Sequence, residues 1–162
     1  MEIFEEVAPK MATYHLRSNW LSISKLYNEL AKQYDGTLAM AFVLLAIEEK
    51  TGTPVTKIAP RIGMEPNSLS RLLNSLENRG AIFRQNDTVD QRKVYVYLTD
   101  LGREYRNIAL QTVYEVESEI ARNLTDEQRK VFFEVMTRIP DAIKSLREKI
   151  INTREQGKSL SK

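Results

Sequence analysis

Gly63-Met64-Glu65-Pro66-Asn67-Ser68-Leu69-Ser70-Arg71-Leu72-Leu73-Asn74-Ser75-Leu76-Glu77-Asn78-Arg79-Gly80 carries more structural information than any other run of this chain. Gly63-Met64-Glu65 reads as a tight turn. Pro66 suits the first position of a helix, where its missing N–H would be unpaired in any case. Gly80 marks the end of that helix. Between them Leu69, Leu72, Leu73 and Leu76 follow the i, i+3, i+4, i+7 pattern of one inward face. The other face carries Asn67, Arg71, Asn74 and Asn78, with Ser68 and Ser70 in the first turns. Residues 56–62 just upstream read as a short helix interrupted by Pro60. A short helix, a glycine turn and a second helix form a helix-turn-helix signature.

Working outward towards the C-terminus, two strand-like runs follow, residues 81–85 and Val94–Leu98, the second rich in β-branched and aromatic residues. The polar stretch 86–92 joins them as an exposed hairpin tip. Thr99-Asp100 caps a long helix reaching about Arg122, with Leu101, Tyr105, Ile108, Thr112, Val116 and Ile120 on one face. Thr125 and Gln128 have capping-box spacing. They open a last helix striped by Phe132, Val135, Ile139, Ile143, Leu146 and Ile150, which Pro140 should kink without ending.

Towards the N-terminus, residues 9–34 form an amphipathic helix through Leu16, Trp20, Ile23, Tyr27, Leu30 and Tyr34, with Asp35-Gly36 as its stop. Thr37 caps a helix over residues 38–50 that is apolar almost all round, so it belongs in the middle of the fold. Residues 51–54 break it. The expected fold class is therefore mainly α. It is a winged helix-turn-helix with a two-stranded wing, flanked by long N- and C-terminal helices. The expected organisation is an N-terminal helix (1–36), a winged core (37–99), C-terminal helices (100–151) and a frayed polar tail (152–162).

Composition excludes several classes of function. The chain has 162 residues, 42% apolar and 28% charged, with a net charge of +2, which suits a soluble protein without a basic tail. It contains no cysteine and one histidine, His15, so thiol chemistry and thiolate metal sites are absent and a zinc site would have to lean on carboxylates. No metal and no cofactor are expected. The acidic N-terminus lacks an apolar signal core, and the most apolar run, residues 38–47, is about half the ~20 residues a bilayer span requires. The expectation is a cytoplasmic protein with no membrane association. No nucleophile–base pair, glycine-rich phosphate loop or metal cluster argues for an enzyme.

The polar face of residues 66–79 offers amides, a guanidinium and hydroxyls with no carboxylate at its centre. Those groups can read base edges in a DNA groove: Asn to adenine, Arg to guanine, Ser to either. The plain alternative is a solvated helix surface. Arg92 and Lys93 lie just past the hairpin tip, where the core has no use for them, and a protruding Arg suits a narrow minor groove. From Thr53 to Arg106 there are nine cations against six carboxylates, a net of +3, while the remainder nets −1. The positive excess lies where phosphate contacts would need it.

The run from Gly63 to Gly80 resembles the recognition-helix motif of the multiple-antibiotic-resistance regulator (MarR) family. Asp90-Gln91-Arg92, followed by Val96-Tyr97-Leu98-Thr99 and Gly102, resembles that family's wing and the start of its next helix. The resemblance implies a transcriptional regulator, expected to act as a repressor, that binds a pseudo-palindromic duplex site as a homodimer. It implies that Asn67, Ser68, Ser70 and Arg71 enter the major groove, with Asn74 on the same face. It also implies that Arg92, beside Lys93, reaches the minor groove and that Asp90 holds the wing by pairing with a basic group. Glu65, Asn74 and Ser75 stand where the family more often has a small capping residue, an acid and a base, so base preference is not carried over.

The long flanking helices carry more apolar stripe than one small core can cover, which argues for a second copy; an intramolecular three-helix bundle is the alternative. A small aromatic or anionic effector, as many relatives bind, would have Tyr14, His15 and Trp20 as its candidate contacts. Those residues could equally be dimer-core or surface residues. The competing reading of the whole chain is a winged-helix protein–protein interaction module without DNA binding.

Overall fold

Thr37 opens the core of the molecule by accepting the Met40 N–H at 3.2 Å, which satisfies one of the orphan donors at the start of a helix. In this computed structural model, which describes residues 2–159, the elements run α1 (Glu2–Val7), α2 (Ala12–Ala31), α3 (Leu38–Ala46), β1 (Thr53–Pro54), α4 (Val55–Ile62), α5 (Pro66–Asn78), β2 (Ile82–Asn86), β3 (Val94–Leu98), α6 (Asp100–Arg122) and α7 (Asp126–Ser159). The chain divides into two compact units, Met1–Tyr114 and Glu115–Lys162, the division falling within α6.

The core of the first unit gathers Val43, Leu44 and Ile47 from α3 and its end, Ile58 and Ala59 from α4, and Leu69, Leu73 and Leu76 from α5. Ala81, Ile82, Val96 and Leu98 complete it from the sheet, all buried. Leu72 of the leucine face is only partly buried against it. The sheet is antiparallel in the order β1-β3-β2. Ile82 pairs with Leu98 and both are buried, while Arg84, opposite buried Val96 on the same face, stays exposed at the sheet edge.

α6 is seated by a close approach. Gly102 is buried, and a Cβ there would lie 1.9 Å from the Ala81 carbonyl oxygen. The Thr99 hydroxyl accepts the Gly102 N–H at 3.1 Å and donates to Gly80 O at 2.6 Å, with Ala81 O also within 3.0 Å. The Leu-Thr-x-x-Gly run is thus a helix cap and a packing contact in one.

Several details differ from the sequence expectation. The sheet has a third strand: Thr53–Pro54 pairs with β3 through Thr53↔Val96, where the sequence reads only a breaker. α3 stops at Ala46, short of residue 50, because Thr53 and Arg61 take its end. The Glu48 N–H donates to Thr53 Oγ1 at 2.9 Å, and Arg61 Nη1 caps Ala46 O at 3.0 Å. The left-handed residue after the first long helix is Asp35 (φ 52°), not Gly36. Arg79 donates to the Asp35 carbonyl at 2.6 Å, while a Cβ on Gly36 would meet Ala31 O at 3.2 Å. A side chain at Gly36 would thus crowd the end of α2.

The N-terminal segment is also more structured than the sequence suggests. A separate short helix, Glu2–Val7, precedes a 3-10 turn holding Pro9, and α2 begins only at Ala12. α4 runs through Pro60 without a break. α7 runs through Pro140 and continues over residues 152–159 of the tail expected as frayed (152–162), whose residues 160–162 lie outside the described residues. Arg, Glu, Gln and Lys there all favour helix. The Thr125–Gln128 capping box is formed in both directions, at 2.8 and 3.2 Å.

Candidate nucleic-acid interface

α5 is held by Leu69, Leu73 and Leu76, each buried, so its remaining circumference faces outward by helical geometry alone. Asn67, Ser68, Ser70, Arg71 and Asn74 are all exposed. Asn67, Ser68 and Arg71 have no side-chain hydrogen bond or ion pair among the described residues. The Ser70 hydroxyl donates back to Pro66 O at 3.1 Å, the usual resting contact of a serine within a helix. Gly63 (φ 64°) supplies the left-handed bend that aims α5 away from α4.

Asn74 differs from its neighbours. Its Oδ1 accepts from Arg84 Nη2 at 2.6 Å, and the same guanidinium donates through Nε to Glu77 Oε2 at 3.0 Å and through Nη2 to that oxygen. Arg84 on β2 therefore braces the wing against α5. The hydrogen bond from Arg84 holds the Glu77 carboxyl below its usual range, and Glu77 in turn raises the Arg84 guanidinium. The sequence places Asn74 on the outer face but has no means to show that its oxygen is already engaged. The available signal was an Asn and a Glu at i, i+3 followed by an Arg on the next strand.

The wing loop is built by two aspartates. Asp87 Oδ1 accepts the N–H groups of Val89 and Asp90 at 2.8 and 2.9 Å, an Asx turn. Those two backbone donors, Asp90 first, pull its carboxyl below the ordinary aspartate range. Asp90 Oδ1 accepts the Arg92 N–H at 3.2 Å, and Oδ2 pairs with Lys93 Nζ at 3.4 Å. Asp87, absent from the sequence-based candidates, thus shares the turn with Asp90. Lys93 is exposed but tethered. The Arg92 side chain is exposed and makes no ion pair among the described residues. Val89 stands at the tip, 93% exposed.

The three candidate effector residues do not form one cluster. Tyr14 and His15 meet edge-on, ring centroids 5.6 Å apart, and His15 Nε2 contacts Pro9 O at 2.7 Å. Trp20 instead stacks on Phe42 of α3 at 6.3 Å and remains 51% exposed. Among the described residues there is no group of His, Asp or Glu placed to hold a metal ion. No helix there is long and apolar enough to cross a membrane.

Residues 37–94 match the MarR family model. The HTH-type transcriptional regulator SarZ of Staphylococcus epidermidis is 28% identical over 106 residues, 65% of this chain and 70% of SarZ. Among solved structures, the S. aureus MepR–DNA complex superposes with a TM-score of 0.75 at 21% identity, covering 82% of this chain and 98% of MepR. The PcaV transcriptional regulator of Streptomyces coelicolor, in complex with its natural ligand, does so with 0.70 at 20% identity, covering 82% and 93%. The two structural likenesses establish the winged-helix fold.

Proposed function

We propose that this chain, whose residues 37–94 match the MarR family model, is a DNA-binding transcriptional regulator rather than an enzyme, acting in the cytoplasm as a homodimeric repressor of a pseudo-palindromic operator. The observation that carries this reading is the two-sidedness of α5. Three leucines lock one side into the core, while Asn67, Ser68 and Arg71 stand unengaged on the other. Side chains already spent on internal contacts cannot read bases without losing those contacts; these three have none to lose. In the proposal Asn67, Ser68, Ser70 and Arg71 contact base edges, and Arg92 reaches the adjacent minor groove. Lys93 supplies charge, Asp90 shapes the loop, and Asn74 serves mainly as part of the Arg84 brace.

Dimer formation is supported by the second unit, where Val131, Phe132, Phe133, Val135, Ile143, Leu146, Ile150 and Ile151 are exposed. A contiguous apolar helix face of this size calls for a partner surface in water. A two-fold pair would set two recognition helices about one DNA turn (~34 Å) apart, hence the pseudo-palindrome. Relief by a small aromatic or anionic effector is supported by the ligand held in PcaV and by the exposed aromatics of α2. Tyr14 with His15 forms one candidate contact and Trp20 with Phe42 another.

The test is duplex binding by fluorescence anisotropy with fragments from the gene's own upstream region. Roughly nanomolar affinity that weakens steeply with salt is expected. Arg71→Ala should cost about 1–3 kcal/mol on the best site and relax its base preference. No salt-dependent duplex binding would replace this reading with that of a protein-interaction module.

A further inference from the structure

A cleft of about 620 Å³ opens between the start of α4 and the wing, lined by Pro54, Val55, Thr56, Lys57, Arg84, Arg92, Lys93, Val94 and Tyr95. It is a separate surface from the outer face of α5, and four of its nine lining residues are cationic while none is a carboxylate. Two of those charges are already answered, Arg84 by Glu77 and Lys93 by Asp90. Lys57 and Arg92 have no ion pair among the described residues. Glu48, whose carboxyl feels the Lys57 charge, is itself bonded to Arg61 at 2.7 Å. The cleft thus presents two unneutralised cations from two different elements, one on a helix and one on the wing. Its floor also has the first residues of α4, whose N-cap Pro54 has no side-chain cap bond.

We propose that this cleft seats one phosphate of the DNA backbone between α4 and the wing, with Lys57 as its charge contact and Arg92 passing beside it towards the minor groove. The inference rests on the DNA-binding reading above and adds to it a residue, Lys57, that neither the helix-turn-helix pattern nor the wing motif assigns. A lining with four cations and no carboxylate suits the single negative charge of a backbone phosphodiester. A single backbone phosphate held here would fix the register of α5 relative to the groove without reading sequence.

The test uses the full chain and Lys57→Gln. Lys57 is exposed, so the variant should melt with the wild type. The slope of log affinity against log salt should fall by about 0.9 for the one phosphate lost. Between 50 and 200 mM salt that is about a threefold smaller drop in affinity than for the wild type. The loss should be equal on the best site and on a scrambled duplex, and Lys57→Arg should restore it. An unchanged slope, or a loss confined to the best site, would overturn the assignment while leaving DNA binding intact. A wild-type protein that binds no duplex would remove both. Inorganic phosphate, compared with chloride at equal ionic strength, separates the two sources of the anion. Equal binding in both salts supports the DNA backbone. Saturable binding of inorganic phosphate to the DNA-free protein that Lys57→Gln abolishes would reassign the cleft to a free phosphoryl ligand.

Discussion

Gly102→Ala sets helix propensity directly against packing. On propensity alone, replacing a helical glycine by alanine should stabilise by about 0.5–1 kcal/mol. The structure predicts the opposite. The new methyl would sit 1.9 Å from Ala81 O, 2.9 Å from Ala81 C and 3.4 Å from Leu98 Cδ2. Ordinary carbon–oxygen contact is about 3.3–3.6 Å, so the α6 backbone and the Ala81 peptide must separate by more than an ångström. The contacts in the way are Thr99 N–H to Ala81 O at 3.0 Å, the Thr99 hydroxyl, which donates to Gly80 O at 2.6 Å and lies 3.0 Å from Ala81 O, and Gly102 N–H to Thr99 Oγ1 at 3.1 Å. Weakening two of these at about 1 kcal/mol each, with overpacking of about 1–3 kcal/mol and the propensity gain subtracted, leaves a net loss of about 2–4 kcal/mol. For a chain of this size that lowers Tm by about 5–15 °C. Thermal and urea melts followed by circular dichroism at 222 nm give the number. Asn107→Ala, an exposed site on the same helix, serves as the control and should change little. A Gly102→Ala protein that melts at or above the wild-type temperature would refute the close approach of α6 to Ala81.

Three further outcomes follow from the same geometry. Arg84→Ala should cost no more than about 1 kcal/mol, because its ion pair is partly exposed and screened. It should nonetheless raise wing mobility, seen as faster amide exchange over residues 82–98, and unchanged exchange would argue against a brace. The Asp87 carboxyl should titrate below an ordinary aspartate in a ¹³C-detected NMR titration. Its contribution is present above the unfolded-state pKa and is lost as pH falls through the depressed folded value. Asp87→Ala should scramble the chemical shifts of residues 88–92 while leaving the core unmoved, and an ordinary Asp87 titration would contradict the Asx turn. Finally, the double change Phe132→Glu and Ile143→Glu should convert a dimer to a monomer by sedimentation velocity while leaving helix content intact; a dimer that persists would place the interface elsewhere.

The sequence alone determined the order and type of nearly every element, because those signals are local. The leucine spacing of residues 69–76, Pro66 at a helix start, the Thr125–Gln128 box and the β-rich run Val94–Leu98 each act within a few residues. The same locality made the outward face of α5 legible, since burying one side of a helix exposes the other. Tertiary structure decided what depends on partners distant in the chain. Thr53–Pro54 is too short to carry a strand pattern and becomes one only by pairing with β3. α3 ends early because Thr53 and Arg61 reach back to it. Asn74 leaves the set of free outward-facing groups because Arg84, ten residues on, claims its oxygen. Lys57 and Arg92, 35 positions apart in the chain, share a cleft only once the sheet has folded beside α4. Hydrogen bonds and charge pairs between elements are set by the packing of the core, and no spacing rule within one segment encodes them.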